Sequence, residues 1–287
     1  MWDGAYTETM PHAFRLLNVF TVAGDPFSGN PLCVVENADD LSTAQMQAIA
    51  RQMNLSETTF VLPAETSEAH AKVRIFTPGF EMPFAGHPTL GTAAVVGAGA
   101  DVVLELAAGL VPVTVGADGA LTLRAARAPS TRPVEATRAE IAAMIGLPAD
   151  AIAGDPQWVS TGVEQLVIPI TTSAHVRAAK PVLELIEKHG FSAARDEAMA
   201  YLWAEDAQHW VVRFFFTSNG ALLEDPATGS ACANLGGFLL AQRPFEATLS
   251  QGDSISRPSQ LGLRVDADGG IFVTGAVHEV GRGTLAI

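Results

Sequence analysis

Two stretches of this chain carry no charge on any face. Thr89 to Val96 is a run of small and apolar residues, and Ala231 to Leu240 is another. A helix without a polar face has to be covered on every side, so each run demands sheet packed around it. Apolar strands precede both: Val73-Arg74-Ile75-Phe76 before the first and Val211-Val212-Arg213-Phe214-Phe215-Phe216 before the second. Between strand and helix come Pro83-Phe84-Ala85-Gly86-His87-Pro88 in one case and Glu224-Asp225-Pro226-Ala227-Thr228-Gly229-Ser230 in the other. Ala85 and Ala227 are 142 positions apart in a chain of 287 residues, a spacing that points to internal duplication. Pro88 falls in a first helical turn, where its missing N–H is tolerated. The amides around Gly86 and His87, and by repetition those around Gly229 and Ser230, then point beyond the helix, where they suit an anion. Two halves that each present such a start would form one cleft with donors on both sides.

The rest of the composition narrows the partners. A net charge of −14 with no basic run argues against nucleic acid and anionic membrane, since both need clustered Lys and Arg. Apolar stretches such as Ala93 to Ala100 are broken by Gly and too short to span a bilayer, and residues 1–13 lack a signal pattern. Only Cys33 and Cys232 are present, so neither a disulfide framework nor a zinc site is expected, and a reducing cytoplasm is the default setting.

In chain order, residues 1–12 read as a loose extension and Phe14 to Val22 as a strand. Asp25 to Pro31 has turn chemistry, and Leu32 to Val35 returns to make a hairpin. Ser42 caps a helix with apolar positions at Met46, Ile49 and Ala50, ending near Asn54, and Glu57 to Leu62 is β-rich. Short strands follow near Val102 to Leu106, Val111 to Val115 and Ala120 to Leu123. The Pro- and Ser-bearing segment from Ala126 to Arg138 reads as a linker, and Thr137-Arg138-Ala139-Glu140 as a capping box. Beyond it come a strand through Gln165 to Ile170, helices near Ala174 to Ala179 and Val182 to His189, and strands at Ala198 to Trp203 and Trp210 to Phe216. A Gly-containing loop leads from there to Glu224, and strands at Ala247 to Gln251, Leu261 to Val265, Ile271 to Thr274 and Val277 to Val280 follow the second uncharged run. The expected domains are 1–127 and 128–276, with 277–287 packing back onto the first.

Familiar catalytic signatures are missing: there is no Gly-x-x-x-x-Gly-Lys loop, no Gly-x-Ser-x-Gly elbow and no His-Glu-x-x-His helix. Taken singly, the remaining polar residues have plain structural readings. Asp225, Thr228 and Ser230 are ordinary residues for a helix start, Glu57 suits a strand end, and His87 suits a cap or a packed position where the helix dipole keeps it neutral.

Taken together they are more specific. Gly29-Asn30-Pro31, Asn54-Leu55-Ser56-Glu57-Thr58-Thr59-Phe60, Pro83-Phe84-Ala85-Gly86-His87-Pro88 and Glu224-Asp225-Pro226-Ala227-Thr228-Gly229-Ser230-Ala231 resemble, in this order, the signature segments of the phenazine-biosynthesis PhzF-like isomerases. The resemblance implies an α+β fold like that of diaminopimelate epimerase. Two pseudo-symmetric domains are expected, each a mainly antiparallel, barrel-like sheet around a central buried helix, with the site between them. It implies Glu57 as the acid/base residue, His87 and Asp225 beside the reacting atoms, and Asn30, Ser56, Gly86, Thr228, Gly229 and Ser230 as substrate-binding positions. It also implies a homodimer, a small carboxylated substrate, and a proton shift without metal or organic cofactor. Racemases of this fold that work through two thiols carry Cys where this chain has Ala85 and Ala227. An amino-acid epimerase and a ligand-binding protein without turnover remain as the alternative readings.

Overall fold

The computed structural model describes residues 12–206 and 209–287; residues 1–11 of the expected extension lie outside the described residues. The first half opens with an antiparallel hairpin of β1 (His12–Val19) and β2 (Asn30–Val35). Helix α1 (Thr43–Met53) carries the chain over to β3 (Glu57–Leu62), which runs parallel to β2, the kind of crossover that parallel strands require. β4 (Ala71–Phe76) returns antiparallel to β3, and β5 (Glu81–Met82) folds back on β4. Helix α2 (Gly86–Gly97) leads to β6 (Val102–Leu106), parallel to β4, and β7 (Gly109–Val115) and β8 (Leu121–Arg124) follow antiparallel.

After β9 (Ser130–Pro133) and α3 (Arg138–Met144) the order repeats. β10 (Gln157–Ser160) and β11 (Glu164–Pro169) form the hairpin. Helices α4 (Ser173–Ala178) and α5 (Leu183–His189), with the short β12 (Phe191–Ser192), take the place of α1. β13 (Glu197–Ala204) runs parallel to β11, β14 (Trp210–Ser218) returns, and β15 (Ala221–Asp225) folds back on it. Helix α6 (Gly229–Phe238) leads to β16 (Phe245–Gln251), parallel to β14, and then to β17 (Ser259–Val265) and β18 (Ile271–Gly275). The last strand, β19 (Val277–Leu285), crosses back to pair with β1, just as β9 leaves the first half to pair with β10. β8 and β18 pair with each other and join the two halves.

Side chains repeat with the strands. Arg74 ion-pairs Glu81 and lies over the Phe76 ring, and Glu81 is the cross-strand partner of Phe76. Arg213 ion-pairs Glu224 and lies over the Phe215 ring, and Glu224 is the partner of Phe215. The chain is therefore an α+β duplication at the level of pairing register as well as strand order.

Local sequence explains the elements. α1 starts at a reciprocal Ser42–Gln45 capping box, stops at a left-handed Asn54 (φ 51°) and buries Met46, Ile49 and Ala50. α3 starts at the Thr137–Glu140 box. α2 is buried from Gly86 to Ala93, and α6 at Gly229 and from Ala231 to Gly237, as runs without a polar face require. At Gly91 a Cβ would come within 2.4 Å of Leu32 Cδ2, so the bare backbone is what lets β2 pack against the helix.

Three expectations are corrected. β1 ends at Val19 rather than Val22, because buried Phe20 turns to φ 66° and its N–H donates to the Ala276 carbonyl. The segment before Glu224 is strand β15, paired along β14, rather than a loop. The segment read as a linker contains β9, exposed throughout and ending in Pro133 at the margin of the sheet, where a residue without an N–H is tolerated. Among the described residues no helix is long and apolar enough to cross a membrane.

Candidate functional site

The N-terminal ends of α2 and α6 meet. A Cβ built on Gly86 would lie 3.5 Å from the Gly229 backbone and from Ser230 N, and one built on Gly229 would lie 3.7 Å from Gly86 Cα. Neither helix has a side-chain cap, and the first ladder bonds run from Thr89 N to Ala85 O and from Cys232 N to Thr228 O. The amides of Gly86, His87, Gly229 and Ser230 thus precede both ladders at one place, where main-chain donors and two helix dipoles favour negative charge.

Glu57, the first residue of β3, stands beside this junction. Its Oε2 is 3.4 Å from His87 Nε2, and both atoms are buried without a hydrogen-bond partner. The Glu57 side chain is 15% exposed. Burial, reinforced by the charge of Asp225, pushes its carboxyl up to about 8, with Arg195 pulling the other way and Glu197 adding to the rise. Burial pushes His87 down to about 3 against a hydrogen bond to the Pro31 backbone, so the imidazole is neutral. Since Pro31 can offer only its carbonyl, the ring donates there. Desolvation is thus the main cause of the neutral histidine.

Asp225 ends β15 and is tied to the opposite half. Asn30 Nδ2 donates to Asp225 Oδ1 and to the Ala227 carbonyl, both at 2.9 Å, while Ser56 Oγ donates to Asn30 Oδ1 at 3.4 Å. Thr228 Oγ1 donates to Asp225 Oδ2. Burial raises the Asp225 carboxyl to about 7 despite the two hydrogen bonds from Thr228 and Asn30. All nine residues singled out in the sequence, Asn30, Ser56, Glu57, Gly86, His87, Asp225, Thr228, Gly229 and Ser230, belong to this junction or to the network leading into it.

Sequence reasoning missed several neighbours. Gln251, in β16, is 1% exposed; its Nε2 donates to Asp225 O (2.9 Å) and Thr228 Oγ1 (3.0 Å), and its Oε1 accepts from Thr228 N (3.2 Å). It satisfies the turn that a capping Asp225 would otherwise have served. Arg195 and Glu197 pair at 2.6 Å and act on Glu57 through their charges. Gln165 donates to Ser230 Oγ at 2.8 Å. Nothing in the local sequence marks these residues, because each reaches the junction from a strand or turn outside the motif segments. Neither cysteine occupies the Ala85 or Ala227 position: Cys33 is buried in β2 with its thiol pushed to about 12, and Cys232 is buried within α6 with its thiol pushed up as well. Ala85 is the N-cap of α2, and Ala227 precedes the N-cap of α6.

Residues 17–279 match the family described as phenazine biosynthesis-like protein, PhzC-PhzF. The chain is 39% identical to the uncharacterized isomerase PM1503 of Pasteurella multocida, covering 96% of this chain and 95% of that one. It is 34% identical to the trans-2,3-dihydro-3-hydroxyanthranilate isomerase of Pseudomonas aeruginosa, covering 90% and 92%. Among solved structures, the Bacillus anthracis phenazine biosynthesis protein of the PhzF family superposes with a TM-score of 0.84 at 25% identity, over 97% of this chain and 100% of that one. A hydroxyproline epimerase from Agrobacterium vitis shares the fold at a TM-score of 0.63 and 14% identity, over 96% and 91%.

Proposed function

The chain is an isomerase belonging to the phenazine biosynthesis-like family, and on that premise we propose that it moves a proton on a small, carboxylated, cyclic or unsaturated metabolite with Glu57 as the acid and base. The observation that carries this reading is the buried Glu57 carboxyl, held near pH 8 with one oxygen unpartnered beside a neutral His87. A carboxyl of that strength populates both protonation states around neutrality, so one group can take a proton from a substrate carbon and return it to another. The product has the composition of the substrate, and Glu57 ends as it began. His87, neutral and with its ring N–H given to the Pro31 carbonyl, faces the Glu57 oxygen through Nε2 without trapping it in an ion pair. The substrate carboxylate sits over the paired helix starts, held by the amides of Gly86, Gly229 and Ser230. Asp225, fixed by Thr228 and by Asn30, which Ser56 holds in turn, borders the reacting atoms and opposes a second negative charge on Glu57. The site lies between the two expected domains, 1–127 and 128–276 with 277–287 returned to the first; a homodimer in the cytoplasm completes the reading.

The substrate named for the Pseudomonas aeruginosa relative, trans-2,3-dihydro-3-hydroxyanthranilate, is the compound to try first. Incubation in D2O followed by NMR should show a double bond displaced and deuterium at a ring carbon. If deuterium enters only the α-carbon of free amino acids, with loss of configuration, the epimerase reading replaces this one. The alanines at positions 85 and 227 weigh against that outcome.

A further inference from the structure

The hydrogen bonds around the Asp225 carboxyl have directions that the main chain sets. Gln251 Oε1 accepts from Thr228 N at 3.2 Å, and Gln251 Nε2 donates to the Asp225 carbonyl at 2.9 Å. A main-chain N–H can only donate and a carbonyl can only accept, so these two contacts fix which end of the Gln251 amide is which. The remaining N–H of Gln251 donates to Thr228 Oγ1 at 3.0 Å. Among the described residues, Asp225 Oδ2 is then the acceptor left for the Thr228 hydroxyl proton. A proton on Oδ2 would strand that buried hydroxyl with nothing to donate to. The other oxygen is closed in the same way. Asn30 Nδ2 donates to the Ala227 carbonyl and to Asp225 Oδ1, so Oδ1 faces an N–H that cannot accept. Gln251 and Asn30 are both buried, and solvent does not replace either one.

Glu57 is surrounded in the opposite sense. Its Oε2 receives no donor, and His87 Nε2 opposite presents a lone pair, because the ring N–H is given to the Pro31 carbonyl. Two lone pairs facing each other at 3.4 Å repel, whereas a proton on Oε2 makes the contact favourable. Asp225, Arg195 and Glu197 act on Glu57 through their charges, and Glu197 and Glu224 act on Asp225, with Glu224 offset by its ion pair to Arg213. Burial raises both carboxyls, but Asp225 with its two donors stops at about 7 while Glu57 rises to about 8.

We propose that the site stores one proton in a fixed place: Gln251, acting through Thr228, and Asn30 keep Asp225 as the charged partner, so that the proton rests on Glu57. Gln251 is thus a positioning residue, one side chain removed from the carboxyl it controls. The inference rests on the reading of Glu57 as acid and base, and it adds where the proton waits before substrate enters and which side chains hold it there. Its consequence is an order of ionisation. As pH rises, Asp225 loses its proton first and Glu57 second, and removing the Gln251 amide lets Asp225 take the proton back.

The test is a carboxyl titration by NMR of the full-length protein, labelled with carbon-13 at the Asp side-chain carboxyl in one sample and at the Glu carboxyl in another, between about pH 5 and about pH 9. Glu57→Gln and Asp225→Asn assign the two signals, and the larger displacement of each marks its own step. In wild type the Asp225 signal should move at lower pH than that of Glu57. Gln251→Leu should raise the Asp225 midpoint by about one pH unit or more, a tenfold or greater change in proton affinity on the scale of a lost hydrogen bond to a charged group, and should lower the Glu57 midpoint. Thr228→Val, which keeps the shape and removes the hydroxyl, should give the same displacement and serves if Gln251→Leu does not fold. Thr228→Ser, which restores the hydroxyl, should restore the wild-type order. A Gln251 that only braces the turn would lower the melting temperature and leave both midpoints in place. That result, or a wild type in which Glu57 ionises before Asp225 or together with it, overturns the inference and leaves the acid/base reading standing. Full turnover in Glu57→Gln would instead remove the acid/base reading and leave the order of ionisation intact.

Discussion

Glu57 Oε2 and His87 Nε2 lie 3.4 Å apart, buried, and neither has a hydrogen-bond partner. A structural carboxylate in such a position would ordinarily be paired or hydrogen-bonded, because leaving a buried polar group unsatisfied costs roughly 1–3 kcal/mol. The pair is kept open at the point where two helix starts meet.

Glu57→Gln is nearly isosteric but cannot cycle a proton. Turnover of the identified substrate should fall by about 10² to 10⁴, the usual contribution of a positioned acid/base group, with carboxylate affinity retained. Steady-state kinetics beside a benzoate titration make the comparison; activity within a few-fold of wild type would remove Glu57 from the role.

Stability should depend on pH through the same residues. The folded-state value of Glu57, about 8, lies above its ordinary 4.5, so its contribution is fully present below pH 4.5 and lost as pH rises through about 8. Asp225 acts in the same direction between 3.8 and about 7. His87, lowered from 6.5 to about 3, acts oppositely: its contribution is present above 6.5 and lost as pH falls through about 3. The unfolding midpoint of Glu57→Gln minus that of wild type should therefore grow between about pH 5 and about pH 9. A difference that stays flat across that range would contradict the assigned shift.

The two junction glycines should respond differently. A Cβ on Gly86 makes ordinary contact with Gly229 at 3.5 Å, so Gly86→Ala should fold with little change in midpoint while narrowing the approach to the amides and weakening benzoate about tenfold or more. A Cβ on Gly229 meets Phe20 Cζ at 3.1 Å, and Phe20 is fully buried. Gly229→Val should thus lose stability as well as binding. Thermal melts and titrations on both variants separate the cases, and equal stability losses would refute the distinction.

The repeated arginines offer an internal control. Arg213 and Glu224 are 11% and 8% exposed, and Arg213 also donates to the carbonyls of Val176, Arg177 and Ala179 at the end of α4. Arg213→Met should cost on the order of 3–5 kcal/mol, since it strands a buried carboxylate. The equivalent pair Arg74 and Glu81 is 22% and 36% exposed, and Arg74→Met should cost about 1 kcal/mol or less. Denaturant melts should show this ordering, and equal costs would show that burial does not govern the pair.

The sequence by itself determined the duplication and the two buried helices, and the nine site residues were singled out by the resemblance of its four motifs to a known family. Those features are written locally: an uncharged run can only be a covered helix, Pro88 can only sit at its beginning, and motif residues lie within a few positions of the element they serve. It did not reveal β9 or β15, since exposed Ser130–Pro133 and half-buried Ala221–Asp225 become strands only when β10 and β14 lie alongside to pair with them. Nor did it reveal Gln251, Gln165 and Arg195, which are unremarkable in their own segments. Their significance comes from contacts such as Gln165 to Ser230, 65 positions apart, and Asn30 to Asp225, 195 apart. The same holds for the strength of Glu57. A carboxyl acquires a value near 8 through the water it has lost and the charges brought near it, and tertiary structure alone decides both.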